Sequence, residues 1–341
     1  MSRAQLTSTV EQNSAGAAAP WVGSKNAIIN GGMDWWQRST SFSVSAYAYS
    51  YLADRWYTFA GTNNATFSQQ ASTQTGFSYA LQVQRNSGQT GTFPIKVGMS
   101  LETRESLRFA GQNVTLSFYA KAGANFSAAS SLLAASINSG TGTDQNLQNG
   151  GFTNNNYANG SFTLTSSFQR FTLTYAVPSN ATQLGIEFDL NGTGTAGAND
   201  WFQITGVQLE VGSVATPFSR AGGTLQGELA LCQRYYWRST AGYAYSFLTP
   251  FCGSAGNSTT VAYFAIPVPV PLRISTPSAV DYSNIAGSDG ANLYTGTWAV
   301  GTSSTGTPLL SLTTTGLVNY RPLSIQANNS SSAYVGFSAE L

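Results

Sequence analysis

Asn113-Val-Thr-Leu-Ser-Phe-Tyr-Ala120 alternates without a break: Val114, Leu116, Phe118 and Ala120 fall on one face of an extended chain, and Asn113, Thr115, Ser117 and Tyr119 fall on the other. Successive strand side chains point to opposite sides, so this stretch reads as a half-buried β-strand. Phe171, Leu173 and Tyr175 alternate with Arg170, Thr172 and Thr174 in the same way, and Ile186, Phe188 and Leu190 oppose Glu187 and Asp189. One buried face and one wet face is the habit of antiparallel sheets. Trp201–Val211 begins with Phe202 and Ile204 inward, then changes phase so that Val207 and Leu209 become the inward pair around Gly206. An extra residue at Gly206, a β-bulge, accounts for the slip. About seven to nine such runs lie between Asn26 and Arg220, separated by Gly, Asn, Ser and Thr clusters, which is enough for a two-sheet sandwich.

The punctuation changes at Thr216–Gly223, where Pro217 and the Gly222-Gly223 pair mark a domain boundary. Residues 221–239 read as a helical linker, because Leu225, Leu229, Cys232 and Tyr236 recur at helical spacing behind Thr224, a ready N-cap. From 240 to 341 the β texture returns with only five charged residues, Arg273, Asp281, Asp289, Arg321 and Glu340, which predicts a second, smaller β-sandwich. Ile266-Pro-Val-Pro-Val-Pro-Leu272 deletes every backbone donor on one side of an extended chain, and the expectation is an edge strand. Residues 1–25 are mostly Ala, Ser, Gln and Thr and cannot bury enough apolar surface to offset ordering entropy. They read as an arm, ordered by a neighbour. The fold class expected is therefore all-β and antiparallel, with one short helix between two bodies.

Composition narrows the function. In a chain of 341 residues the 7 Trp, 17 Tyr and 19 Phe outnumber the 15 Lys and Arg and 14 Asp and Glu taken together, and only 9% of residues are charged. A net charge of +1 without any basic stretch leaves no footprint for nucleic acid. With no His at all, Ser-His-Asp and Cys-His machinery and imidazole zinc sites are excluded. Cys232 and Cys252 make no disulfide framework, and their pairing is open. The N-terminal segment lacks the apolar core of a signal peptide and no run is long enough to span a bilayer, so no membrane insertion is expected.

The only acid–base equipment left is carboxylate pairs. Glu187 and Asp189 share a strand face, and Glu102 lies near Glu105. A catalytic acid needs surroundings that raise its pKa, and the outward phase of Glu187 and Asp189 predicts a solvated face instead. No catalytic residue is assigned. The aromatics are the stronger candidates: Trp35, Trp36, Trp56, Trp201, Tyr235 and Trp237 are candidate glycan-binding rings, since a flat ring fits the C–H face of a sugar. Against this, a sandwich with few aliphatics must fill its core with rings, and adjacent Trp35 and Trp36 point opposite ways in a strand. Arg exceeds Lys twelve to three, with Asp54-Arg55 and Glu102, Arg104, Glu105 and Arg108 in close sequence, which suits structural guanidinium–carboxylate pairs.

Six strings, in order, carry a resemblance: Asn26-Ala-Ile-Ile-Asn-Gly-Gly-Met-Asp34-Trp-Trp-Gln-Arg38, Ala53-Asp-Arg-Trp56, Val114–Ala122, Asp200–Gly212, Ala215-Thr-Pro-Phe218 and Leu229–Tyr236. Together they resemble tailed-bacteriophage virion proteins, including tail fibres and other appendages, over about residues 26–240. The opening and closing strands are also similar to jelly-roll carbohydrate-binding modules. That resemblance implies a jelly-roll domain at 26–220 and a structural calcium near Asp34, although the final-strand acid of such sites is here Thr205 or Gly206. It further implies a non-enzymatic virion subunit, assembled in the host cytoplasm as a homotrimer, contacting other virion proteins through residues 1–25 and a host cell-surface glycan. A capsid decoration or head-fibre protein is the rival, and a polysaccharide-degrading enzyme the last alternative.

Overall fold

The computed structural model describes residues 25–250, 252–255, 258–301 and 304–341. The expected arm, residues 1–25, falls almost wholly outside them. Twelve strands of the described residues build the first body: β1 (Ser41–Val44), β2 (Tyr49–Tyr51), β3 (Tyr57–Phe59), β4 (Ala65–Ala71), β5 (Tyr79–Arg85), β6 (Ile95–Ser100), β7 (Asn113–Ala122), β8 (Leu132–Gly140), β9 (Asn156–Thr163), β10 (Gln169–Ala176), β11 (Gln183–Leu190) and β12 (Trp201–Val211). They form two six-stranded sheets, ordered β1-β4-β5-β12-β7-β10 and β2-β3-β6-β11-β8-β9. The chain crosses repeatedly from one layer to the other, and neighbours pair antiparallel, as in a jelly-roll sandwich.

The alternation read from the sequence sets the core. Leu116 and Phe118 of β7 and Ile186 and Phe188 of β11 have no exposed surface, and the Phe118 and Phe188 rings meet edge to face across the layers at 4.8 Å. Gly206 takes a φ of 61°, and the ladder between β12 and β7 shifts between Thr205 and Gln208. The bulge is where the phase change placed it, and Val207 and Leu209 are both buried.

The linker helix is Leu225–Gln233, and Thr224 caps it by accepting from the Gly227 backbone N–H at 3.0 Å. Cys232 and Tyr235 pack into the core of the first body, whereas Leu225 is exposed. Glu228, buried on the helix, accepts from the backbone N–H groups of Asn30 and Gly222, which pins the helix to the opening loop. Cys232 and Cys252 are both free.

The second body starts at β13 (Tyr236–Thr240), four residues earlier than the composition suggested, because β13 pairs with Tyr334–Ser338 near the far end of the chain. It continues with β14 (Gly253–Ser254), β15 (Val261–Ala265), β16 (Ala279–Ser283), β17 (Ile285–Ser288), β18 (Leu293–Tyr294), β19 (Thr297–Val300), β20 (Leu309–Thr313), β21 (Pro322–Ala327) and β22 (Tyr334–Ser338). A three-stranded sheet, β13-β22-β16, faces a seven-stranded one, β18-β17-β21-β14-β15-β20-β19, over a core that includes Phe264, Leu310, Leu312, Ile325 and Phe337. The proline run is not an edge strand. It leaves β15 and lies along Gly306–Pro308, with the surviving donors of Ile266 and Val268 bonded to the carbonyls of Pro308 and Gly306. Prolines at 267, 269 and 271 leave no donors for a ladder on the other side.

Guanidinium groups join the two bodies. Glu340 of the second body accepts from Arg55 and, at 3.2 Å, from Arg38, with both partners of the Arg55 pair almost fully buried. Arg38 lies 3.7 Å above the Tyr236 ring, Arg238 donates to the Arg38 carbonyl, and Tyr51 donates to the Leu341 carbonyl at 2.9 Å. Asp54 and Arg55 do not pair with each other. Asp54 accepts from the Gln37 backbone and amide, while Arg55 turns to Glu340 at a φ of 73°.

Candidate functional site

The sheet β2-β3-β6-β11-β8-β9 buries one face in the core, so every second residue of its strands stands on the other. In β11 those residues are Gln183, Gly185, Glu187 and Asp189. Register then aligns rows across the sheet. One row is Tyr57, Gly98, Glu187, Ser136 and Asn159; a second is Phe59, Lys96, Asp189, Ala134 and Ser161; a third is Ser100, Gly185, Asn138 and Tyr157. Gly98 leaves the floor deep, because a Cβ there would stand 2.9 Å from the Glu187 side chain and 2.7 Å from the Tyr57 hydroxyl. The loop between β8 and β9 folds over one end of this face and plants Phe152 against Gly140 and Gly185. What remains open is a groove of about 410 Å³ with Lys96, Glu187 and Asp189 at its floor, Ser136, Asn138, Tyr157 and Asn159 on one side, and Leu147, Gln148 and Asn155 from the loop.

The floor is wired through Lys96. Its ammonium donates to Glu187 Oε2 at 3.0 Å and lies 3.7 Å from Asp189 Oδ2, and the Tyr57 hydroxyl donates to Glu187 Oε1 at 3.1 Å. Asp189 Oδ1 has no hydrogen-bond partner. Burial pushes the Asp189 carboxyl up to about 6, Lys96 opposes that rise and the like charge of Glu187 adds to it. Burial also pushes the Tyr57 hydroxyl well up, and Glu187 adds to the effect. Although burial works to lower the Lys96 pKa, Asp189 and Glu187 raise it overall. Glu187 and Asp189 were expected on a solvated face. Glu187 is instead buried, because β11 is central in its sheet and the face it shares is recessed.

None of the six aromatic candidates lines this groove. Trp56 is wholly buried beside Phe188 and its indole N–H donates to the Asn30 carbonyl, so neither face is left for a sugar. Tyr235 is buried with the Arg55 guanidinium 3.6 Å over its ring and its hydroxyl bonded to Glu102. Trp36 is buried and bonded to the Met33 carbonyl. These three correct the expectation: the few aliphatics of the first body left core volume for rings to fill. Trp35 is half-buried and bonded to the Leu225 carbonyl, Trp237 is half-buried and stacked on Phe337, and Trp201 is half-buried on the opposite sheet over Gly123. The groove residues missed from sequence are Tyr157, Asn159, Asn138, Ser136 and Lys96. Their signal was the outward alternation of Tyr157, Asn159 and Ser161, legible only once β9 is known to lie beside β8.

Asp34 does not fit a calcium site. Its carboxylate is taken by Arg220 at 2.9 Å, and among the described residues no three His, Cys, Asp or Glu side chains gather as metal ligands. Glu102 is likewise occupied: Arg234 grips it bidentately at 3.0 to 3.3 Å, which ties the end of the helix to the first body. Among the described residues no helix is long and apolar enough to cross a membrane.

No family model and no curated protein matches the sequence. Among solved structures, the enzymatically active domain of tailspike protein 4 of bacteriophage CBA120 is 14% identical over 55% of this chain and 21% of its own length, with a TM-score of 0.37. The CBM22-1 xylan-binding domain of Paenibacillus barcinonensis Xyn10C is 15% identical over 51% of this chain and 95% of its own, with a TM-score of 0.33. TmCBM61, solved in complex with β-1,4-galactotriose, is 13% identical over 55% of this chain and the whole of its own, with a TM-score of 0.30.

Proposed function

We propose that the chain binds a host-surface glycan in the groove over Glu187 and Asp189 and does not transform it. The lining carries this reading. An exposed tyrosine ring, Tyr157, stands beside the amides of Asn138, Asn159, Gln148 and Asn155 in an open recess, which pairs a stacking face with donors and acceptors for hydroxyl groups. The resemblance of residues 26–240 supports a wider setting: a non-enzymatic subunit of a tail-fibre-like phage appendage, homotrimeric, held in the virion through residues 1–25. The test is whole-cell and glycan-array binding by the purified full chain beside Tyr157→Ala and Asn159→Ala. Both positions are exposed, so the variants should melt with the parent and lose about 5- to 30-fold in affinity, since one stacked or hydrogen-bonded contact is worth roughly 1–2 kcal/mol. Absence of glycan binding, or undiminished binding by both variants, overturns the reading.

One observation favours a second reading, hydrolysis. Asp189, with its carboxyl raised to about 6, has the property of a general acid. Glycosidic cleavage, however, takes two carboxyl groups flanking the bond. Glu187 and Asp189 project side by side from one strand onto one lysine. Reducing sugar released from host envelope by the wild type and not by Asp189→Asn would establish hydrolysis.

A further inference from the structure

Resting on that binding site, we propose that the groove sorts its ligands by charge: Glu187 and Asp189 together outweigh Lys96, so the site takes neutral and amine-bearing glycans and rejects those carrying carboxylate, sulfate or phosphate groups.

The charges of the lining come from two strands only, Lys96 on β6 and Glu187 with Asp189 on β11; the amide, hydroxyl and apolar residues of β8, β9 and the loop add none. Asp144, the acid of the loop, lies outside the lining and is engaged by the Thr103 backbone N–H at 2.8 Å and by Arg273 at 3.5 Å. Among the described residues the Lys96 ammonium is therefore the one cation of the lining that a ligand acid would meet. It is already held by Glu187 at 3.0 Å and faces Asp189 at 3.7 Å, and half-burial holds it in place. One carboxylate of the three charges is left uncompensated, and Asp189, whose side chain is partly exposed in the lining, presents it to the groove. A ligand hydroxyl or ammonium can donate to the exposed part of these carboxylates, whereas a ligand carboxylate brings a further acceptor and a further negative charge. At separations of several ångströms in a recess of intermediate dielectric, that repulsion corresponds to at least about a tenfold loss of affinity.

The experiment uses the full chain on an array carrying neutral polysaccharide fragments, N-deacetylated amino-sugar oligomers, and uronate, sialylated and phosphorylated glycans. Wild-type binding is expected on the first two classes, and Asp189→Asn is expected to raise the ratio of acidic to neutral binding at least about tenfold. A measurement on the wild type alone adds a check independent of any variant. Raising salt from 50 to 500 mM should weaken the amine-bearing ligands several-fold and leave the neutral ones nearly unchanged. Wild-type preference for acidic glycans, or an unchanged ratio in the variant, overturns the charge rule and leaves glycan binding standing. Failure to bind any glycan overturns both.

Discussion

Asp54 is sealed beneath the second body, and burial pushes its carboxyl up to about 6 while Arg38 and the Gln37 donors work to lower it. A carboxyl raised in the folded state favours folding most below its unfolded pKa near 3.8, and that advantage is lost as pH rises through about 6. The stability of the wild type relative to Asp54→Asn should therefore fall by about 2–3 kcal/mol between pH 4 and pH 7, measured by denaturant titration at both pH values. Gly206 supplies a second prediction at this scale. At its φ of 61° a Cβ would stand 2.6 Å from the Phe77 ring and 2.9 Å from Tyr119. Gly206→Ala should cost about 2 kcal/mol or more, visible as a lower melting midpoint. The sequence announced this glycine because a change of phase leaves a mark in the residue order. It concealed the fate of Glu187, because alternation tells which face a residue takes and not what lies over that face.

Among elements, β7 and β11 were legible from end to end, since each strand buries a full apolar row whichever neighbour it finds. Phe118 joins their two sheets, touching Phe162, Phe171 and Phe188, and Phe118→Ala should lose about 3–5 kcal/mol of stability by cavity formation. The loop between β8 and β9 was not legible: it contains no periodic pattern, and its hold on the sheet comes from Phe152, seated on two glycines, and from hydrogen bonds of Gln145 to Gln183, Asn146 to Tyr49 and Leu147 to Ser100, all partners distant in sequence. Phe152→Ala should leave the sandwich folded while amides of residues 141–155 exchange hydrogen faster, because the wall of the groove loses its apolar anchor and keeps only its hydrogen bonds. The proline run shows a half-correct reading. One-sided donors were foreseen and are present, but the deletion is so regular that no strand ladder forms at all.

At the scale of the molecule, the seam between the two β bodies was not legible in the sequence. Its partners are far apart in the chain, 285 residues in the case of Arg55 and Glu340, and no local pattern announces them. Glu340→Gln would leave Arg55 with a buried, uncompensated charge, and a loss of about 3 kcal/mol is expected. Calorimetry should then show the second body melting ahead of the first where the wild type melts in one transition. The sheet order has a different consequence. Among the described residues β9 is hydrogen-bonded along one side only, to β8, and its outward residues Tyr157, Asn159 and Ser161 alternate with Ala158 and Phe162, which pack on the core. Recognition residues on an outermost strand are free to drift while their inward neighbours stay fixed. Under the binding reading, a shift in host range would thus accumulate at 157, 159 and 161 first, with the scaffold conserved behind it.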